Sequence, residues 1–154
     1  MESAIRRIAP AALGVILFAC GPSSEPAKGM PAYTDHYTLR VTSDPAPPRA
    51  RQRTTYKIVV QDKATGQPID GGEGLLYGST NPRQLINGKY VDVPVVKVWD
   101  SFTAGAEPGT YYANVHYVVA GDWAMALRFH KDSTQKLEQV DWMQTVNNAT
   151  GEVR

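Results

Sequence analysis

The stretch Gly109-Thr-Tyr-Tyr-Ala-Asn-Val-His-Tyr-Val-Val-Ala-Gly-Asp-Trp-Ala-Met-Ala-Leu-Arg-Phe-His130 alternates apolar and polar residues through two successive runs. Side chains of an extended chain point to opposite faces in turn. Tyr111, Ala113, Val115, Tyr117 and Val119 therefore share one face of a first strand, and Trp123, Met125, Leu127 and Phe129 share one face of a second. Both faces are odd-numbered. A two-residue hairpin at Ala120-Gly121 would set Val119 opposite Asp122, an inward residue against an outward one, whereas directly paired residues lie on the same face. The connection is therefore longer or bulged, or the chain crosses at Gly121 from one sheet to another, as later strands of a sandwich do.

Upstream the same period recurs. Tyr37, Leu39 and Val41 alternate with Thr38, Arg40 and Thr42, and Tyr56, Ile58 and Val60 alternate with Lys57 and Gln61. Between these strands, Ser43 to Arg53 carries three prolines and three arginines, which reads as a loop at a sheet edge with solvated charge. Asp62 to Gly72 has turn chemistry, and a short strand follows around Leu75 and Tyr77. Ser79 to Tyr90 reads as a long polar connection with Asn-Pro and Asn-Gly turns, and Val91 to Trp99 as a valine-rich strand that Pro94 places at an edge or bulge. Glu138 to Val146, with Val140, Trp142 and Val146 alternating, supplies a last strand. No apolar helical stripe follows Cys20. The pattern predicts an all-β sandwich of about seven strands over residues 36–146. Its core holds Ile58, Val60, Tyr111, Val115, Trp123, Leu127 and Phe129, and residues 147–154 form a disordered tail.

The first 19 residues, with Arg6 and Arg7 ahead of an apolar run from Ile8 to Phe18, have the pattern of a secretory signal, and the run is shorter than the roughly 20 residues of a spanning helix. Leu17-Phe18-Ala19-Cys20 resembles a bacterial lipobox, with Phe18 where a smaller residue is usual. The resemblance implies that Cys20 is lipidated and becomes the first mature residue. Residues 20–35, small, polar and Pro-containing at their start, are expected to form a flexible tether. Cys20 is the only cysteine, so its modification leaves no thiol for a disulfide, a metal or a nucleophile. Gly21 rather than Asp after the cysteine favours the outer membrane of a two-membrane envelope. Without Glu2, Arg6 and Arg7 the 16 basic and 15 acidic residues of the chain become 14 and 14. A formally neutral domain has no field to attract nucleic acid.

The order of Pro45-Ala-Pro-Pro48, Asp62-x-x-x-Gly66-x-Pro68, Gly109-x-Tyr111 and Gly121-x-Trp123 resembles the YtkA-like domain of bacterial lipoproteins and membrane proteins, a relative of the FixH-type domain, over roughly Tyr37 to His130. That resemblance implies an immunoglobulin-like sandwich among relatives often linked to metal handling or oxidase assembly. Such relatives often carry Met or His where this chain has Gly78 to Val96, which contains neither. No site residue is therefore carried over.

Catalytic patterns are absent: there is no Gly-x-Ser-x-Gly, no His-Glu-x-x-His and no phosphate loop. Asp35, Asp62, Asp92, Asp100, Asp122 and Asp141 read as turn or surface carboxylates. The expectation is a non-catalytic binding or accessory module, lipid-anchored on the extracytoplasmic face of the envelope, with a protein partner and no cofactor. The candidate contacts are Arg83, Lys89, Tyr90, Trp99 and Phe102, in the long segments Gly78 to Tyr90 and Trp99 to Pro108. Trp99 and Phe102 are read as buried under the neighbouring loop, or else as an exposed aromatic platform. The alternative is a periplasmic copper-handling or oxidase-assembly accessory using His36, His116, His130, Met30, Met125 and Met143. Even-numbered His116 and His130 point outward on their strands, and so are not expected to share a metal.

Overall fold

The computed structural model describes residues 29–150. Eleven strands run in chain order: β1 Met30–Tyr33, β2 Tyr37–Asp44, β3 Arg53–Asp62, β4 Glu73–Thr80, β5 Arg83–Ile86, β6 Lys89–Asp92, β7 Lys97–Ser101, β8 Thr103–Ala104, β9 Thr110–His116, β10 Gly121–His130 and β11 Glu138–Val146. They form a five-stranded sheet ordered β1-β2-β3-β9-β8, a four-stranded sheet ordered β11-β10-β4-β7, and the separate hairpin β5-β6. All of these strand pairings are antiparallel. Among the described residues there is no helix.

Of the connections that parity allows, the crossing between sheets is the one present. β9 belongs to the five-stranded sheet and β10 to the four-stranded one, so the odd-numbered residues of both face a shared core. Tyr117 and Trp123 meet edge to face at 4.9 Å across it, and Phe129 packs against Tyr37 at 5.1 Å and Tyr111 at 5.5 Å. All seven core residues expected from sequence are buried. Val119 is not: it is 41% exposed, because β9 ends at His116 and Val119 lies in the crossing segment.

The strand count exceeds about seven for identifiable reasons. Met30–Tyr33, assigned to the tether, pairs with Leu39, Val41 and their neighbours as β1 and buries Ala32. Asn147, assigned to the tail, is bridged to Arg49 and accepts a hydrogen bond from the Ala50 amide at 2.8 Å. The valine-rich run is split into β6 and β7 around Pro94, which has no amide to donate to a ladder. The Pro-rich loop after β2 joins two interior strands rather than lying at an edge. In β4 the inward residues are Leu76, Gly78 and Thr80, not Leu75 and Tyr77.

Local chemistry fixes the turn after β3. Asp62 Oδ1 accepts hydrogen bonds from the amides of Ala64 and Thr65 and from the Thr65 hydroxyl, and Gly66 takes the left-handed conformation (φ 71°) that closes the turn. Those bonds hold the Asp62 carboxyl below its ordinary pKa.

At the same end of the molecule, where the Lys63 amide donates to His36 O at 2.8 Å, Glu138 ties the four-stranded sheet to the β1–β2 turn. It accepts from the His36 amide at 3.1 Å and from His36 Nδ1 at 2.5 Å. Burial pushes the Glu138 carboxyl up, but hydrogen bonds from Thr34 and His36 outweigh it, and the net position is below the ordinary value. A carboxyl lowered on folding stabilises the native state fully above its unfolded pKa, about 4.3, and ceases to do so as pH falls through the folded value. Glu138→Gln is therefore expected to lower stability by up to about 1 kcal/mol near pH 6, a modest amount because the His36 ring is exposed. The gap closes below the folded value, and denaturant titrations near pH 6 and pH 2 check it.

Candidate interaction site

The segment read as a polar connection folds as the hairpin β5-β6. Asn87 and Gly88 both have positive φ, 51° and 75°, as the tight turn between right-twisted strands requires. The register pairs Arg83 with Asp92, Gln84 with Val91 and Leu85 with Tyr90. Arg83, Leu85, Tyr90 and Asp92 consequently share one hairpin face. The Arg83 guanidinium lies 5.4 Å from the centre of the Tyr90 ring, a cation–π contact. Leu85 is 61% and Tyr90 69% exposed.

The hairpin base is fastened to the body at several points. The Val93 amide donates to Pro82 O at 2.8 Å and closes the hairpin's own base, and the Asn81 amide donates to Asp122 O on β10 at 3.0 Å. The Thr80 hydroxyl donates to Pro94 O and accepts from the Val96 amide, at 2.9 and 2.8 Å. The other hairpin face turns Gln84 toward Gly121, where a Cβ would meet the Gln84 amide at 2.4 Å. Gly121 takes φ 124°, a backbone conformation that favours glycine, while the Gln84 amide beside it is the end of a flexible side chain. Between hairpin and body lies a groove of about 880 Å³, with Leu85, Val93, Val96, Val119, Ala120 and Val146 among its lining residues.

The five candidate contacts are not one site. Arg83 and Tyr90 stand together, and Lys89 lies on the opposite hairpin face. Trp99 is 67% exposed on β7, so the platform reading holds for it and burial does not. Phe102 packs inward at 5.8 Å from Tyr111 and 6.3 Å from Phe129, filling the space left by Gly74. Leu85 and the groove beneath it were not expected from sequence. The signal was there in Asn87-Gly88, flanked by Gln-Leu-Ile and Lys-Tyr-Val.

The candidate metal ligands are scattered. His36 is in the β1–β2 turn, exposed His116 ends β9 in one sheet, and half-buried His130 ends β10 in the other. His130 Nε2 is 3.5 Å from Glu73. Met125 lies in the core, where its sulfur accepts from the Tyr117 hydroxyl at 3.5 Å, and Met143 is exposed on β11. Among the described residues no three His, Cys, Asp or Glu side chains are grouped to hold a metal ion. Cys20 and the signal segment lie outside the described residues.

The chain matches no protein-family model, and a search of curated proteins finds no match.

Proposed function

We propose that this chain is a lipid-anchored, non-catalytic binding module of the bacterial cell envelope. In this reading an immunoglobulin-like sandwich of the YtkA-like kind is held at the extracytoplasmic face of a membrane through Cys20 and docks a protein partner with the β5-β6 hairpin. The observation that carries the docking is the exposed Arg83–Leu85–Tyr90 face, an arginine and an aromatic already ordered against each other beside an aliphatic residue and above a groove. Arg and Tyr are among the residues that dominate binding energy at interfaces, and pre-ordering lowers the entropy lost on docking. The anchor is supported by the lipobox-like Leu17–Cys20 and the tether after it.

Two variants test the two halves. Cys20→Ala is expected to move the protein out of the membrane fraction, and a wild-type protein whose mature N-terminus bears a free thiol contradicts the anchor. Arg83→Ala with Tyr90→Ala is expected to abolish partner recovery from crosslinked envelopes while changing folding stability by no more than about 1 kcal/mol, because both side chains are exposed. Unchanged recovery contradicts the hairpin as the docking element.

A further inference from the structure

The outer face of the four-stranded sheet carries a second surface, independent of the hairpin. The register places Trp99 opposite Tyr77, Tyr77 opposite Ala126, and Ala126 opposite Asp141. Directly paired residues share a face, so these four form one row across β7, β4, β10 and β11. A tryptophan 67% exposed at the end of such a row is unusual for a side chain of its apolar area. Beside it Ala124 and Ala126 leave the sheet floor low, and a shallow trough of about 550 Å³ runs between Tyr77 on β4 and Met143 on β11. Those strands are two spacings apart, about 9.5 Å, which leaves room for a single ring between their side chains.

One end of the trough is polar and already ordered. Arg128 Nε donates to Gln139 Oε1 at 2.8 Å, and Gln139 Nε2 donates to both oxygens of Asp141, at 2.8 and 3.0 Å. The linked side chains Arg128, Gln139 and Asp141 therefore present guanidinium donors and carboxylate acceptors within a set whose formal charges cancel. An anionic or cationic ligand gains nothing net from it. A proline-rich peptide offers mainly carbonyl acceptors and would leave the Asp141 carboxylate desolvated without a donor. Vicinal hydroxyls donate and accept together, and the C–H face of an equatorially substituted pyranose lies flat on an aromatic ring.

We propose that this face binds a neutral, β-linked oligosaccharide, with one sugar over Ala126 between Tyr77 and the Arg128–Gln139–Asp141 row and its neighbour stacked on Trp99. Trp99 is far more exposed than fully buried Trp123 and half-buried Trp142, which also lines the trough, so the fluorescence change that Trp99→Ala removes is the part that Trp99 reports. Titrating the full chain with cellopentaose and with chitopentaose is expected to give a saturable blue shift for at least one of them. Reduced acrylamide quenching accompanies it, and the dissociation constant is on the order of 1 mM or tighter. By calorimetry, Trp99→Ala and, separately, Gln139→Ala are each expected to weaken binding at least about tenfold with an unchanged circular dichroism spectrum. No binding of either sugar, or binding unaltered in both variants, overturns the proposal. So does a proline-rich peptide that binds this face while the sugars do not.

Discussion

Trp123→Ala is expected to cost about 3–5 kcal/mol, a large share of the total stability of a domain, and to lower Tm by on the order of 10–20 °C. The indole is fully buried at the mouth of the crossing between sheets and packs edge to face on Tyr117 at 4.9 Å. Its Nε1 also donates to Val119 O at 3.3 Å, so it fastens the crossing segment itself. Truncation removes the largest side chain of the core, leaves a cavity between two sheets that cannot collapse independently, and strands a crossing-segment carbonyl. Urea denaturation followed by circular dichroism measures the loss. Trp99→Ala, at an exposed position on β7, is the control and is expected to stay within about 0.5 kcal/mol. A loss below about 1 kcal/mol for Trp123→Ala would contradict its place in the core.

The second large effect concerns two hydroxyls in the same core. Tyr56 and Tyr117 are buried with their oxygens 2.6 Å apart, and the Tyr117 hydroxyl also donates to the Met125 sulfur at 3.5 Å. One consistent chain runs from the Tyr56 hydroxyl to the Tyr117 oxygen and from the Tyr117 hydroxyl to sulfur. Burial pushes Tyr56 up to about 12 and raises Tyr117 still further, so both stay neutral donors throughout the physiological range. Tyr117→Phe leaves the Tyr56 hydroxyl in the core with no acceptor, at a cost of about 1–3 kcal/mol. Tyr56→Phe costs less, because Tyr117 keeps its sulfur acceptor. The double variant removes both polar groups and is expected to be less destabilised than the sum of the singles by about 1 kcal/mol, in a double-mutant cycle by denaturant unfolding. Simple additivity would contradict the shared bond.

Period-two alternation made β2, β3, β9 and β10 legible because each buries one face only: Tyr37, Leu39 and Val41, then Tyr56, Ile58 and Val60, lie inward as their spacing implies. Equal parity in two successive strands excluded a tight hairpin at Ala120-Gly121, and the sheet order decides between the longer turn and the crossing that remained. What escaped reading was set by neighbours rather than by local pattern. β1 contains Pro31 and gains its pairing only from β2. β4 has Leu75 and Leu76 in succession, and only tertiary packing chooses Leu76. Trp99 and Phe102 are three residues apart, yet one is exposed and the other packs against Phe129. The chain passes from β7 in one sheet to β8 in the other at Phe102, and no composition signal marks that step. At the candidate site, residue type and segment length single out Arg83 and Tyr90. Their contact follows from the β5-β6 register, which the Asn87-Gly88 turn sets.

The docking role of the hairpin is tested most directly by placing a photoreactive amino acid at Leu85 in the full, membrane-borne chain and irradiating intact cells. Leu85 is exposed on the same face as Arg83 and Tyr90. The expected result is a discrete protein adduct that disappears with Arg83→Ala and falls sharply with Cys20→Ala, when the module is no longer held beside its partner. The same probe at Lys63, in the turn after β3, gives no such band. Equal labelling from Leu85 and Lys63, or an adduct indifferent to Arg83→Ala, would contradict it.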